Sequence, residues 1–165
     1  MNQMDNVVKV GIAEIKFVKA PKKIRTSGLG SCVGLVIFHP QLEIAGLAHI
    51  MLPDSSLSKT KTINKAKYAD TAVKTLIENF QNIGLQTASL KAKMAGGAQM
   101  FSFQTTSNIM RIGQRNVESV KQQLKKYNIP LISEDVGGKS GRTIEFDPKT
   151  TSLLIRTVNN GVKNI

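Results

Sequence analysis

The stretch VGLVIFHPQLEIAGLAHIML, residues 33–52, carries two apolar runs separated by a short polar segment. Val, Ile and Leu predominate in these runs, which is typical of strands, and the polar residues around Pro40 suit a turn. We therefore predict a β-hairpin over this stretch. Because Pro40 cannot adopt the positive φ of a primed two-residue turn, we expect a four-residue loop, residues 39–42, centred between Pro40 and Gln41.

Outward from the hairpin, the sequence pattern predicts more strands than helices. Residues 6–20 nearly alternate apolar and polar side chains, as one or two strands would. Helical stripes of apolar residues occur at 64–82 and 114–127, and Gly84 and Pro130 follow them as stop signals. Four further strand patterns lie at residues 87–97, 129–136, 141–147 and 151–158. This order predicts an α+β fold with a mixed, largely antiparallel sheet and two main helices.

Chain length and apolar content fit one domain that spans residues 1–165. The chain has 165 residues, 41% of them hydrophobic, which is enough to bury a sizeable core. No apolar run approaches the roughly 20 residues that cross a bilayer, and the first ten residues do not resemble a secretory signal. We therefore expect a cytoplasmic protein without membrane insertion.

The composition argues against three classes of ligand. One cysteine and two histidines do not make a zinc cluster, so we expect neither a metal nor a cofactor. The net charge of +12 favours an acidic partner, but the chain has no Trp and only two Tyr, too few for the stacking platforms of single-stranded nucleic acid. Glycine-rich phosphate motifs fail because Val33 and Ser133 stand where those motifs require Gly.

The single cysteine, Cys32, lies at the start of the predicted hairpin, 17 positions before His49. Their midpoint coincides with the centre of the expected loop, which predicts directly opposed residues with Cβ atoms about 4.5–5.5 Å apart. An imidazole beside a thiol takes its proton, and the thiolate attacks a carbonyl carbon. Backbone N–H groups of Gly30, Ser31 and Cys32 would stabilise the resulting oxyanion. We therefore expect a thiol that iodoacetamide alkylates faster than a free thiol near neutral pH.

The same residue types also have purely structural interpretations. A lone cysteine at a strand start is most often a small buried apolar residue, and a histidine in an apolar strand is usually a core residue. We expect His39 to be a solvated loop residue. Asp54 follows His49 on a loop, and we expect it to form a turn rather than to partner the imidazole.

Five blocks of the sequence carry a family resemblance. They are TSGLGSCVG (26–34), AHIMLPDS (48–55), KMAGGAQMF (93–101), IGQRN (112–116) and DVGGKSGRTIEFDPKT (135–150). Together with the six-residue Thr-to-Cys and 17-residue Cys-to-His spacings, these blocks resemble the CheD family, the chemoreceptor glutamine deamidases of bacterial chemotaxis. The resemblance covers nearly the whole chain.

The resemblance implies roles for three residues. The catalytic Cys, His and Thr of the family correspond to Cys32, His49 and Thr26. Cys32 would attack the side-chain carboxamide of a receptor glutamine, and His49 would protonate the departing ammonia and activate the water that resolves the thioester. Thr26 would hold and orient His49. The family also implies an α/β sandwich related to the catalytic domain of the cytotoxic necrotising factor toxins.

The resemblance further implies two partners, the cytoplasmic helices of chemoreceptors and the phosphatase CheC. Phe101 and Phe103 follow a pair of glycines, and we consider them as aromatic anchors for a partner, with core packing as the alternative. Two other functions stay open. One is transglutaminase or methylesterase chemistry on the same nucleophile, and the other is a non-enzymatic regulator that binds receptors or CheC, in which Cys32 and His49 are structural.

Overall fold

The computed structural model describes residues 6–100 and 111–165, and within them the chain forms ten strands and two α-helices. In chain order they are β1 (Val7–Val10), β2 (Ile15–Lys19), β3 (Lys23–Leu29), β4 (Val33–His39), β5 (Ile44–Ile50), α1 (Ala69–Asn82), β6 (Lys91–Gly96), α2 (Ile112–Lys126), β7 (Leu131–Val136), β8 (Arg142–Asp147), β9 (Ser152–Thr157) and β10 (Gly161–Asn164). Neither helix is long and apolar enough to cross a bilayer.

The strands form two five-stranded sheets, which confirms the predicted α+β class. Sheet A has the order β1-β3-β8-β9-β10, and sheet B has the order β2-β5-β4-β6-β7. Each sheet contains one parallel pair, β1 with β3 and β6 with β7, and all other pairs are antiparallel. The apolar pattern did not indicate that the strands divide between two sheets, because alternation shows that a strand is half-buried and not which sheet it joins.

Two apolar cores separate three layers. The first core lies between sheet B and the helices, and the second lies between the two sheets. Alternate residues of β4 contribute to each core: Leu35 and Ile37 contact the helical layer, whereas Val36 and Phe38 contact sheet A. All seven residues of β4 are buried for this reason. A strand covered on both faces needs a continuous apolar sequence, which explains the run VGLVIF.

The hairpin of β4 and β5 forms as predicted, but its register differs from the expected one. The four-residue loop is residues 40–43, because His39 still pairs with Ile44 at the end of the ladder. His39 is buried rather than solvated, and its Nδ1 accepts a hydrogen bond of 3.1 Å from the backbone N–H of Leu42. Glu43 completes the turn with a φ of 54°. The prediction of direct opposition is therefore wrong, since His49 pairs with Gly34 and not with Cys32.

The helices lie close to their predicted positions, although both begin at residues other than the predicted ones. Helix α2 begins two residues earlier than predicted, and α1 begins at Ala69 rather than at residue 64. Residues 64–68 are not helical because this segment is tied to the end of β5: the carbonyl of Lys67 accepts hydrogen bonds from Met51 and Leu52, and Leu52 forms an isolated bridge with Tyr68.

Two strands were not predicted. The second half of strand β3 contains Thr, Ser and Gly, a composition typical of loops. Strand β10 has no buried residue, so it lacks the apolar pattern that predicts a strand. Strand β3 matters most for the site, because it places Thr26 on the inner face of sheet A.

Candidate active site

A hydrogen bond between the two sheets joins two of the predicted site residues. Thr26 lies on β3 of sheet A and His49 on β5 of sheet B, and Thr26 Oγ1 is 2.7 Å from His49 Nδ1. Both side chains are buried, Thr26 with 2% and His49 with 0% of its surface exposed. Because side chains alternate across a strand, each lies on the same face as the apolar residues two positions away, Ile24 and Leu47, which belong to the core between the sheets.

The partners of Thr26 define the tautomer of His49. The Thr26 hydroxyl donates to the backbone carbonyl of Val10 on the neighbouring strand at 2.8 Å. A hydroxyl has only one hydrogen, so it acts as acceptor toward the imidazole, and Nδ1 carries the ring proton. The lone pair of a neutral imidazole then resides on Nε2. That atom is buried and has no hydrogen-bond partner in the described ranges, so it is available to accept a proton.

Cys32 immediately precedes β4 and packs, half-buried, against the core between the sheets. Its carbonyl accepts a hydrogen bond of 2.9 Å from Gly97, and the carbonyl of Gly30 accepts one of 2.8 Å from Ala98. The residues before β4 are thus fixed to the segment after β6. Since the shift in hairpin register is an even number of residues, Cys32 and His49 remain on the same face of sheet B.

The backbone N–H groups of the predicted oxyanion segment have different surroundings. The N–H of Gly30 donates to the carbonyl of Gly28 at 3.1 Å. Within residues 6–100 and 111–165, the N–H groups of Ser31 and Cys32 have no acceptor. Two adjacent N–H groups beside a thiol are the donor arrangement that stabilises an oxyanion on an attacked carbonyl.

Helix α2 supplies a residue that the sequence did not single out. Asn116 is fully buried, and its amide nitrogen donates to the carbonyl of Ser31 at 3.0 Å and to that of Met51 at 2.9 Å. One side chain therefore joins the residue before Cys32 to a residue two positions after His49. The sequence does show an amide side chain on the apolar face of a predicted helix. Because buried amides are usually hydrogen-bonded, this position could have indicated a structural contact.

Burial governs the electrostatics of the site. Desolvation raises the pKa of the Cys32 thiol above its usual value and lowers the pKa of the His49 imidazole below its usual value. Both shifts favour the neutral forms, so the resting pair is thiol and imidazole rather than thiolate and imidazolium. This direction is opposite to the one assumed in predicting fast alkylation of Cys32.

The other predicted residues lie apart from this cluster. Asp54 accepts a hydrogen bond of 2.8 Å from the N–H of Ser56 and caps a short 3₁₀ turn, which confirms its interpretation as a turn former. Phe101 and Phe103 lie outside the described residues. In the described part of the chain, no three His, Cys, Asp or Glu side chains are arranged to hold a metal ion.

Comparison with known proteins identifies the family. The family model described as "CheD chemotactic sensory transduction" matches residues 51–157. The chain belongs to the CheD family. The family match begins directly after β5, so Thr26, Cys32 and His49 lie before it.

Full-length relatives extend the CheD similarity over the segment that holds these residues. A protein of Halalkalibacterium halodurans is 57% identical over 162 residues, which are 98% of this chain and all of that protein. A protein of Bacillus subtilis is 58% identical over 159 residues, 96% of each chain. One of Bacillus velezensis is 59% identical over 159 residues, again 96% of each. All three are named "Chemoreceptor glutamine deamidase CheD".

Among solved structures, the crystal structure of Bacillus licheniformis hypothetical protein YfiH is similar, with a TM-score of 0.48 and 11% identity. The match covers 73% of this chain and 49% of that one.

Proposed function

We propose that this protein is a cytoplasmic chemoreceptor glutamine deamidase in which Cys32 is the nucleophile, His49 the general base and acid, and Thr26 the residue that orients His49. The observation that carries this assignment is the pair of hydrogen bonds on Thr26, to Val10 and to His49, because together they leave the proton-accepting lone pair on Nε2. The names of the full-length relatives supply the substrate class.

The first half of the reaction forms a thioester. The Cys32 thiol transfers its proton to His49 Nε2 while Sγ forms a bond to the carboxamide carbon of the glutamine side chain. The carbonyl oxygen becomes an oxyanion, which the N–H groups of Ser31 and Cys32 stabilise. When the tetrahedral intermediate collapses, the C–N bond breaks, and the proton on Nε2 passes to the leaving nitrogen, which departs as ammonia.

The second half hydrolyses the thioester. His49 Nε2 takes a proton from a water molecule, and the oxygen attacks the thioester carbon. Collapse of this second intermediate breaks the C–S bond and releases the glutamate side chain. The sulfur recovers its proton from the imidazolium, which restores the neutral pair. Thr26 accepts the Nδ1–H hydrogen bond throughout, so the ring keeps one orientation while Nε2 gains and loses its proton.

Neutral resting groups agree with a general-base mechanism. A thiol whose pKa is raised by burial stays protonated until a carbonyl is in place, and the adjacent base then takes the proton as the new bond forms. This arrangement limits reaction of the thiol with oxidants and other electrophiles, because the thiolate is the reactive species.

The test is mass spectrometry of a chemoreceptor cytoplasmic fragment after incubation with the protein. Wild type should convert specific glutamines to glutamates, with a gain of about one mass unit at each, while Cys32→Ala and His49→Ala should convert none. Incorporation of an added amine would identify a transglutaminase instead. Loss of methyl esters without change at glutamine would identify a methylesterase. Binding of the fragment without conversion by wild type would favour the non-enzymatic regulator.

We also propose the phosphatase CheC as a partner, on the basis of family membership. The candidate anchors are Phe101 and Phe103. Their test is the affinity for purified CheC of Phe101→Asp and Phe103→Asp, measured beside the deamidation rate. Unchanged CheC affinity in both variants would contradict the assignment of these phenylalanines.

A further inference from the structure

The connection between β5 and α1 contains a cluster of cations. Residues 55–67, here named the lysine loop, contain Lys59, Lys61, Lys65 and Lys67 and no acidic residue. The first three side chains are exposed. In the described ranges, none of the four ammonium groups forms an ion pair. Lys67 Nζ lies 5.8 Å from the centre of the Tyr68 ring, so the charges available to a partner are those of Lys59, Lys61 and Lys65.

The acidic residues that flank the lysine loop serve to hold its first turn. Asp54 accepts from the N–H of Ser56, and Asp70 accepts from the N–H of Ser55 at 3.0 Å and from its hydroxyl at 2.6 Å. Both carboxylates therefore face the beginning of the loop and leave its lysines without a counter-charge.

The base of the lysine loop is attached beside the candidate active site. The carbonyl of Lys67 accepts from the N–H of Met51 at 2.9 Å, two residues after His49. Asn64 donates to the carbonyl of Ala13 at 3.2 Å, and the N–H of Ala13 donates to the carbonyl of His49 at 3.1 Å. A partner that contacts the loop is therefore held close to His49, the proposed general base.

The lysine loop also presents apolar side chains. Leu57 is 45% exposed and Ile63 is 39% exposed, so each leaves a large apolar area in contact with water among the lysines. Single exposed apolar residues are common on protein surfaces, so the lysines carry the argument, and Leu57 and Ile63 add apolar area that a partner would cover. The complementary partner carries carboxylates next to apolar residues, as one side of an acidic amphipathic helix does.

We propose that the lysine loop is the substrate-docking surface, and that it binds the acidic amphipathic helix that carries the target glutamine. The proposal rests on the proposed function, because the helix is taken to be the chemoreceptor segment presented to Cys32. Lysines act at a distance and accelerate encounter with an acidic helix, and the effect weakens as salt screens the charges.

The test compares two triple variants that have the same change in net charge. The docking variant is Lys59→Glu, Lys61→Glu, Lys65→Glu. The control variant is Lys91→Glu, Lys125→Glu, Lys149→Glu, which reverses three exposed lysines at the ends of β6, α2 and the β8–β9 turn away from the site. Each is assayed with a chemoreceptor cytoplasmic fragment and with a short peptide that contains one glutamine and no charged residue.

For the receptor fragment at low salt, the docking variant should lose about tenfold or more in kcat/KM, through KM, while kcat and the rate on the neutral peptide stay near wild type. Its kcat/KM should also depend less on salt, and the control variant should behave like wild type. Equal losses in the two triple variants, or an equal loss on the neutral peptide, would overturn the proposal. If wild type converts neither substrate, the deamidase function itself fails, and the docking proposal fails with it.

Discussion

Gly96 and Cys32 approach so closely that no side chain fits between them. A Cβ on Gly96 would lie 2.2 Å from the carbonyl oxygen of Cys32, and the φ of Gly96 is +118°, which residues with a side chain rarely adopt. We expect Gly96→Ala to displace the segment that carries Cys32 and to abolish most deamidation. The measurement is kcat on a receptor fragment beside the free energy of unfolding.

Gly84→Ala is the matched control for that experiment. Gly84 has a φ of +90° and open space around it, at the end of α1. This variant should lose about 1 kcal/mol or more of stability through backbone strain and keep its activity. Similar activity in the two glycine variants would contradict the importance of the Gly96 contact.

Loss of the Thr26 hydroxyl should impair His49 as a general base while leaving its imidazole in place. In Thr26→Val the Nδ1–H of His49 and the carbonyl of Val10 lose their partner, so the imidazole is no longer held in one tautomer. We expect kcat to fall by about 100-fold or more, with little change in KM. Thr26→Ser keeps the hydroxyl and should retain most of the activity. A Val variant as active as the Ser variant would exclude the orienting role.

Asn116 should behave as a positioning residue. Asn116→Ala removes both hydrogen bonds that join Ser31 to Met51, which should destabilise the protein by about 1–3 kcal/mol and lower kcat more than it changes KM. Ser119→Ala on the same helix is the control, since among the described residues its hydroxyl bonds only the carbonyl of Pro53, at 2.6 Å. A thermal melt and steady-state kinetics of both variants distinguish a loss of stability from a displacement of the segment that precedes Cys32.

Acid should reduce both activity and stability through His49. Burial lowers the pKa of His49 in the folded protein below the usual imidazole value of about 6.5, so the imidazole stays neutral and kcat/KM should be maintained down to a pH below 6.5. Below pH 6.5 the unfolded chain binds a proton that the folded chain does not. Stability should therefore fall as pH decreases below 6.5, by at most about 1.4 kcal/mol per pH unit, until the folded pKa is reached.

His49→Gln isolates this contribution. Chemical denaturation of both proteins between pH 7 and pH 5 should show a steeper loss of stability in wild type than in the variant. Parallel curves would mean that His49 has a similar pKa in the folded and unfolded states.

Alkylation reports the state of Cys32. Because burial raises the pKa of the thiol, iodoacetamide should label Cys32 more slowly than a free cysteine at neutral pH. The labelling rate should continue to increase at pH values above the pKa of an ordinary thiol. Fast labelling near pH 7 with a plateau would instead indicate a preformed thiolate and imidazolium pair.

The sequence predicted the class of fold and that Cys32 and His49 share one face of the hairpin, but not the register of its two strands. The two apolar runs VGLVIF and IAGLAHIML were enough to define the hairpin, whereas its register depended on where the loop ended. His39 extends the ladder by one pair, which moves His49 opposite Gly34. The pair shares a face regardless, because a shift by two residues keeps every side chain on its side of the sheet.

The local pattern of apolar residues does not predict which residues make contact between the two sheets. The proximity of Thr26 to His49 depends on β3 and β5 belonging to different sheets, and β3 does not have the sequence of a strand. The contacts of Asn116 could not be predicted either. Its two acceptors are backbone carbonyls, and because every residue has a backbone carbonyl, the sequence does not indicate which ones accept. The family resemblance indicated Thr26; apolar periodicity alone did not.

In the proposed mechanism, the hydrogen bond between Thr26 and His49 also makes activity depend on the packing of one sheet against the other. One residue comes from each sheet, so a chain in which both sheets exist but have not yet packed together contains a thiol and an imidazole without an oriented base. Such a partly assembled chain would lack the arrangement needed to attack glutamine side chains of other proteins. Under the proposed mechanism, catalysis is therefore possible only after the two sheets have packed together.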